Sequence, residues 1–283
     1  MQVLKTIAEL RTWVAAKQDE KQTIGFVPTM GALHEGHLTL ATAAKKENDV
    51  AIMSVFVNPT QFGPNEDFDA YPRDLARDVE LASSVGVDAV FAPSVDDMYP
   101  YDGGIRLLAG RQATILCGAS RPGHFDGVIQ VVSKLFNLVQ PTHAYFGQKD
   151  AQQVAIIQTM VRDFNFPVTL RIIPVVREED GLAKSSRNIY LSEAERAEAP
   201  NIYAALQMAR NIVVETSDAA AAVQAARNHI ESTTNGRIDY IEVLSYPDLA
   251  EVNEQTTDVL IAAAVYIGTT RLIDNILVSV GGQ

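Results

Sequence analysis

From residue 23 onward, short apolar runs alternate with amphipathic stretches, and this alternation sets the expected order of elements. Residues 23–28 predict a strand that stops at proline, 36–48 a helix, and the near-continuous apolar run 50–57 a buried strand. A helix over 73–85, a short strand over 88–92 and a strongly apolar helix over 128–139 follow. Next come a strand at 144–146, a helix over 150–164 and an extended stretch over 168–176 despite Pro174. The pattern then changes. Helices rich in Ala and Glu are expected over 192–215 and 219–230, followed by three strands at 239–244, 259–266 and 271–277.

Strands alternating with helices imply a parallel sheet covered on both faces, whereas helices followed by a run of strands imply an α+β appendage. The expected class is therefore α/β: a Rossmann-like parallel-sheet, nucleotide-binding domain over 1–176, with a smaller α+β C-terminal domain over 177–283. No internal repeat or low-complexity tract interrupts this division.

Composition narrows the function classes. Among 283 residues, 23 Lys and Arg face 35 Asp and Glu, a formal charge of -12. A general nucleic-acid binder needs a basic face, so nucleic acid is not an expected partner. A small anionic ligand is still allowed, since a few gathered cations suffice. Cys117 is the single cysteine, which removes any intramolecular disulfide framework and any Cys-based zinc site. The start, MQVLKTIAELR, carries Lys5, Glu9 and Arg11 and lacks a signal-peptide core. The longest strongly apolar stretch, 259–267, is about half of the ~20 residues a membrane span needs. A cytoplasmic protein without a membrane partner is expected.

The segment Pro28-Thr-Met-Gly-Ala-Leu-His34-Glu-Gly36-His37 lies where the first predicted strand gives way to a helix. Open α/β sheets bind ligands at such places, and N–H groups at a helix start favour anions. Two imidazoles three residues apart can share one face of the first turn and donate to a phosphate. Other readings fail on spacing: zincin histidines stand four apart, and neither a P-loop nor a G-x-G-x-x-G follows the strand. Gly118-Ala-Ser-Arg-Pro122 misses the nucleophile elbow because proline replaces its second glycine.

Four further segments carry candidate chemistry. Asp180-Gly-Leu-Ala-Lys184-Ser-Ser-Arg187-Asn188 offers two cations around two hydroxyls, suited to a polyphosphate. Phe146-Gly-Gln-Lys149-Asp150 places a lysine at a strand–helix junction, where it is either a phosphate ligand or a plain surface residue. Val57-Asn58-Pro-Thr-Gln61-Phe62 supplies neutral donors for a carboxylate and hydroxyls, and fits a polar turn equally well. Arg121-Pro-Gly-His124-Phe125 reads as a rigid loop or as a binding loop. Cys117 falls four residues before Arg121, and a neutral thiol cannot pair with that guanidinium. The polar stretch 58–73, with Gly63, Pro64, Glu66, Asp67 and Asp69, is expected to act as a flap that excludes water.

Taken in order, VPTMGALHEGH, SVFVNPTQF, YPRDLARD, FAPSVDDMYP, RPGHFDGV, KLFNLVQP, FGQKDAQQ, DGLAKSSRN and RLIDN cover the chain almost end to end. The chain thereby resembles the pantothenate synthetase (pantoate–β-alanine ligase) family, within the nucleotidyltransferase superfamily with HIGH-type signatures. The resemblance implies joining of pantoate to β-alanine with ATP and Mg²⁺ through a pantoyl adenylate, with release of AMP and pyrophosphate, in a homodimer. It further implies an ATP site of Met30, Gly31, Ala32, Leu33, His34, Glu35, Gly36 and His37, of Gly147, Gln148, Lys149 and Asp150, of Val176 through its backbone, and of Lys184, Ser185, Ser186 and Arg187. His37, His34, Lys149 and Arg187 would act on the reacting phosphates, and Gln61, Gln153 and Asn58 would hold pantoate. Two other readings stand beside it. One is a HIGH-type transferase that leaves AMP on a phosphate-bearing product, which the neutral Gln61 and Gln153 disfavour. The other is a nucleotide-binding regulator without turnover.

Overall fold

The computed structural model describes residues 1–63, 66, 68–101 and 103–280. Pro64 and Asp67, which belong to the expected flap, lie outside the described residues. The chain divides into two compact units, one of Met1–Gly147 and Ile156–Ile173, the other of Gln148–Ala155 and the chain from Pro174 onward.

The first unit contains β1 (Gln2–Leu4), α1 (Ile7–Asp19), β2 (Ile24–Thr29), α2 (Glu35–Glu47) and β3 (Val50–Val55). These are followed by α3 (Leu75–Ser84), β4 (Ala89–Phe91), α4 (Val95–Met98), α5 (Cys117–Ser120), α6 (His124–Val139) and β5 (His143–Gly147). Helix α7 (Ala151–Asp163) begins in the segment assigned to the second unit, and β6 (Thr169–Ile173) completes the sheet. Six strands pair in the order β1-β4-β3-β2-β5-β6, every pair parallel. As expected for such a sheet, β3 and β4 are apolar and almost wholly buried.

The first two elements escape the hydrophobic pattern. β1 buries only Leu4, and α1 only Leu10, Trp13 and Val14. What starts α1 is polar: Thr6 caps the Glu9 N–H and the Glu9 carboxylate accepts the Thr6 N–H, a reciprocal capping box. Proline explains another difference, since β6 ends at Ile173 and does not extend through Pro174, which has no N–H for a ladder.

At the C-terminal end of α2 a polar cluster ties the helix to the sheet. The Asn48 amide donates to the Ala44 carbonyl at 2.9 Å and to the Tyr145 hydroxyl at 2.8 Å. Tyr145 in turn donates to Glu47 at 2.6 Å, and Arg171 Nε donates to the same carboxylate at 2.6 Å. Gly25 makes room: a Cβ there would stand 2.6 Å from the Asn48 amide nitrogen. Burial pushes the Tyr145 phenol up, whereas Arg171 and then Tyr145 hold the Glu47 carboxyl at about 2.

The second unit packs α8 (Glu193–Glu198), α9 (Asn201–Thr216) and α10 (Ala219–Thr233) with an antiparallel sheet of β7 (Arg237–Ser245), β8 (Asp258–Ile267) and β9 (Thr270–Ser279). The single helix expected over 192–215 is two, because Pro200 cannot donate its share of the helical ladder. Ile202, Ala205, Leu206, Ala209 and Val213 of α9 meet the alternating Val259, Ile261, Ala263 and Val265 of β8 in one core. Helical and strand periods therefore agree on the faces that meet in this core.

Glu47 gives the first unit a defined acid response. Its carboxyl is depressed in the folded state, so its contribution is complete above about pH 4.5 and is lost as pH falls toward 2. The melting-temperature difference between wild type and Glu47→Gln should follow that course. A difference that does not change with pH would contradict it.

Candidate active site

From β2 the chain proceeds through β3 and β4 on one side of the sheet and then through β5 and β6 on the other. Strand order therefore reverses between β2 and β5, and open α/β sheets bind ligands outside the C-terminal strand ends at such a reversal. Met30–His37 follows β2, Asn58 and Gln61 follow β3, and Gly147 ends β5, so three expected site segments leave adjacent strands.

The turn after β2 is strained and specifically held. Thr29 donates its hydroxyl to the Ser54 carbonyl at 2.7 Å and accepts the Gly31 N–H at 3.1 Å. Gly31 and Ala32 are both left-handed, at φ 85° and 51°. For alanine that conformation costs about 1–2 kcal/mol. Asp78 of α3, only 2% exposed, accepts the Ala32 N–H at 3.0 Å and the Leu33 N–H at 2.8 Å. A Cβ on Gly31 would stand 2.7 Å from that carboxylate, so glycine is required on two counts.

This turn delivers His34 as the N-cap of α2. His34 Nδ1 accepts the Gly36 N–H at 3.1 Å, and His37 Nδ1 accepts the His34 N–H at 3.3 Å. The rings lie 4.1 Å apart between centroids. A neutral imidazole that accepts at Nδ1 carries its proton on Nε2. The cap thus fixes both histidines as Nε2–H donors, on the first turn of a helix whose dipole favours anions.

Asn58 is 1% exposed and richly bonded. Its amide nitrogen donates to Gln61 Oε1 and to the Gly127 carbonyl, both at 3.1 Å, while its oxygen accepts from Tyr99 at 2.9 Å and from the Thr60 hydroxyl at 3.0 Å. Asn58 thereby orients Gln61, whose own amide nitrogen approaches Met30 Sδ at 3.0 Å. Close approach of α6 to this turn needs Gly127, where a Cβ would stand 2.3 Å from the Thr60 carbonyl oxygen.

Arg121 is paired across the fold with Glu66, at 2.6 and 2.7 Å, and holds the Glu66 carboxyl below the usual carboxylate range. Its guanidinium also faces His124 Nε2 at 3.1 Å, and His124 Nδ1 lies 2.9 Å from the Gln61 carbonyl. With arginine donating to Nε2, the imidazole proton sits on Nδ1 and is donated to Gln61. The charge partner that Cys117 cannot supply is thus provided from the 58–73 segment.

The second unit carries the remaining candidates. Lys149 lies in the turn Gln148–Asp150, and lines a small cavity with Ser185, Arg187, Asn188, Arg271 and Asp274. A tight hairpin presents the Lys184–Arg187 segment: Lys184 donates its N–H to the Val176 carbonyl at 2.9 Å, and Glu178 to Leu182 at 2.8 Å. Ser185 caps the following turn through the Arg187 N–H at 3.2 Å, and Lys184 Nζ stands 3.6 Å from Glu178. Gln153 sits on α7 and is half-buried.

The hairpin is anchored by Arg177, which forks onto Asp274 at 2.6 and 2.9 Å, donates to the Gly181 carbonyl at 3.0 Å and stacks 3.6 Å from the Tyr203 ring centroid. Burial pushes the Asp274 carboxyl up, and the Arg177 fork acts against that shift.

A family model for pantoate-β-alanine ligase matches residues 2–277. The chain belongs to the pantoate–β-alanine ligase family. The pantothenate synthetase of Lysinibacillus sphaericus is 68% identical over 280 residues, covering 99% of each chain. A crystal structure of pantothenate synthetase from Thermus thermophilus superposes with a TM-score of 0.89 at 44% identity, over 98% of this chain and 99% of that one. The Francisella tularensis pantoate-β-alanine ligase, complexed with β-γ ATP and β-alanine, gives a TM-score of 0.79 at 39% identity, over 98% and 97% of the two chains. The reaction of pantoate–β-alanine ligases is the ATP-dependent condensation of pantoate with β-alanine.

Reading the sequence alone misses Asp78, Glu66 as the partner of Arg121, and Tyr99. Each lies in a segment that carries the family resemblance or in the polar stretch beside it. Nothing local marks any of them as facing the site.

Asp78 should be separable from general stability. Removing it in Asp78→Ala orphans the buried Leu33 N–H, at about 1–3 kcal/mol, and the half-buried Ala32 N–H at less. Asp78→Asn, which keeps one acceptor, should lose less. Urea denaturation measures the stability loss and nucleotide titration the weakened binding; an alanine variant that binds nucleotide like wild type would refute the role.

Proposed function

We propose that this chain activates pantoate as a pantoyl adenylate and then transfers the acyl group to β-alanine. A carboxylate is a poor acyl donor because oxide is a poor leaving group. Attack of a pantoate carboxylate oxygen on the α-phosphorus of ATP breaks the bond to the β-phosphate and releases pyrophosphate. The neutral β-alanine amine then attacks the acyl carbon, AMP leaves with the bonding electrons, and the nitrogen gives up one proton to solvent as the amide forms. The first step is an in-line displacement, so positioning and charge stabilisation carry it.

The observation that carries the assignment is that Nδ1 of His34 and of His37 each accepts a backbone N–H, which leaves Nε2 to carry the imidazole proton. A carboxylate nucleophile has no proton to give up, so these imidazoles donate to phosphate oxygens as charge develops and do not act as bases. Lys149, Lys184 and Arg187 balance polyphosphate charge, helped by the Ser185 and Ser186 hydroxyls. The backbones of Met30–Leu33, Glu35 and Gly36, and of Gly147, Gln148 and Asp150, approach the nucleotide, and Val176 meets adenine. Gln61 and Gln153 hold pantoate, with Asn58 fixing Gln61 from behind.

Mg²⁺ arrives as part of the substrate MgATP, with phosphate oxygens as its main ligands. Among the described residues no cluster of three or more His, Cys, Asp or Glu could hold a metal by itself, which fits a cation carried in on the nucleotide. In the same reading the enzyme works as a homodimer in the cytoplasm. Among the described residues no helix is long and apolar enough to cross a membrane.

The test is product formation from ATP, Mg²⁺ and pantoate, with and without β-alanine, followed by mass spectrometry. AMP and pantothenate should appear one for one, and only with both substrates. ATP binding without either product in a folded sample would overturn the assignment. His37→Ala should lower turnover by ~10²–10³, and a folded variant with wild-type turnover would remove His37 from the chemistry.

A further inference from the structure

The segment Arg271-Leu-Ile-Asp274-Asn275 has no role in the reaction as described above. It lies on β9, where successive side chains alternate between the two sides of the sheet. Leu272 and Ile276 pack into the helical core of the second unit, and Asp274 points with them, toward Arg177 and Tyr203. Asn275 therefore points the other way, and there it meets the turn that carries Lys149.

The contacts are complete. The Asn275 amide nitrogen donates to the Gln148 carbonyl at 2.9 Å and to the Lys149 carbonyl at 3.0 Å, and its oxygen accepts from the Gln148 amide at 3.3 Å. Asn275 also donates its backbone N–H to Asp274 at 2.7 Å, and its carbonyl accepts from Arg177 at 3.3 Å. The side chain is 3% exposed and that of Gln148 8%. A primary amide suits this place because it offers two N–H donors and one acceptor in a fixed plane. A carboxylate of the same shape would set an acceptor against two carbonyl oxygens.

We propose that Asn275 is a positioning residue for the adenylation step: it fixes the backbone of Gln148 and Lys149 and so aims the Lys149 ammonium at the nucleotide phosphates. Lysine is a point charge on a flexible four-carbon stem, so the placement of its Cα decides where the charge can be held. Asp274, the next residue on the strand, fixes Arg177 and with it the hairpin that leads into Lys184–Arg187. One strand thus sets two cationic segments of the unit. The proposal rests on the reading of Lys149 as a phosphate ligand, and the experiment separates the two.

The test is a double-variant cycle on the full chain, with Lys149→Ala, Asn275→Ala and their combination, read by AMP release at varied ATP and varied pantoate. Lys149→Ala should lower kcat/KM for ATP by ~10²–10³. Asn275→Ala should lower it by ~10–100-fold, the scale of a small misplacement, and leave the pantoate KM within about twofold. In the Lys149→Ala background the Asn275 substitution should cost no more than about threefold, the part carried by the Gln148 backbone. Multiplying effects, or equal losses toward ATP and pantoate, would overturn the positioning role. A silent Lys149→Ala would instead remove the phosphate-ligand reading, and this inference with it. Should Asn275→Ala fail to fold, the isosteric Asn275→Asp carries the same cycle. Its deficit relative to wild type should shrink as pH falls and the carboxyl regains a donor, and a deficit independent of pH would count against the proposal.

Discussion

Two consecutive left-handed residues after β2 are the constraint on which the first unit's candidate site depends. Gly31 and Ala32 turn the chain so that His34 can cap α2, and left alone that geometry would relax. The Asp78 carboxylate prevents it by taking both N–H groups that the turn exposes to the interior. With the turn fixed, the cap is fixed, and with the cap the protonated nitrogens of both imidazoles. One buried acid therefore decides a tautomer two hydrogen bonds away, through sterics and donor accounting alone.

The second unit uses a buried ion pair to similar effect. Taking Arg177 and Asp274 out of water costs several kcal/mol per ion, and a well-packed apolar pair would match or exceed their stability. What apolar residues would lack is direction. The guanidinium fork addresses Asp274, the Gly181 carbonyl and the Tyr203 ring together, and few registers of the hairpin satisfy all three. Gly181, at φ 92° and with Tyr203 where a Cβ would stand, is shaped by the same packing.

How much of this was legible follows from the distance over which each signal acts. The parallel sheet and the α+β unit are visible because apolar runs and helical stripes are local. The exceptions are polar or covalent: α1 is announced by the Thr6–Glu9 box and not by apolar residues, and the break at Pro200 is a matter of one missing N–H. Among the site candidates, the paired histidines and the Lys184–Arg187 segment are contiguous and stand out. Asp78 acts across 45 residues, Glu66 across 55 and Asn275 across 126, so composition and spacing give no indication of their partners. Asn58 was legible as a polar candidate, but its place behind Gln61 requires the packing of Gly127 and Tyr99 around it.

Helix α2 is clamped at both ends. Its thirteen residues, about 20 Å at 1.5 Å each, start at the histidine cap and finish in the knot of Glu47, Asn48, Tyr145 and Arg171. A rod held so can neither slide along its axis nor roll about it without breaking hydrogen bonds to the sheet. Its imidazoles therefore share the stiffness of the strands beneath them, although they project from a helix terminus, where fraying is the ordinary fate. The knot at the far end acts as a mechanical ground for the paired rings at the near one.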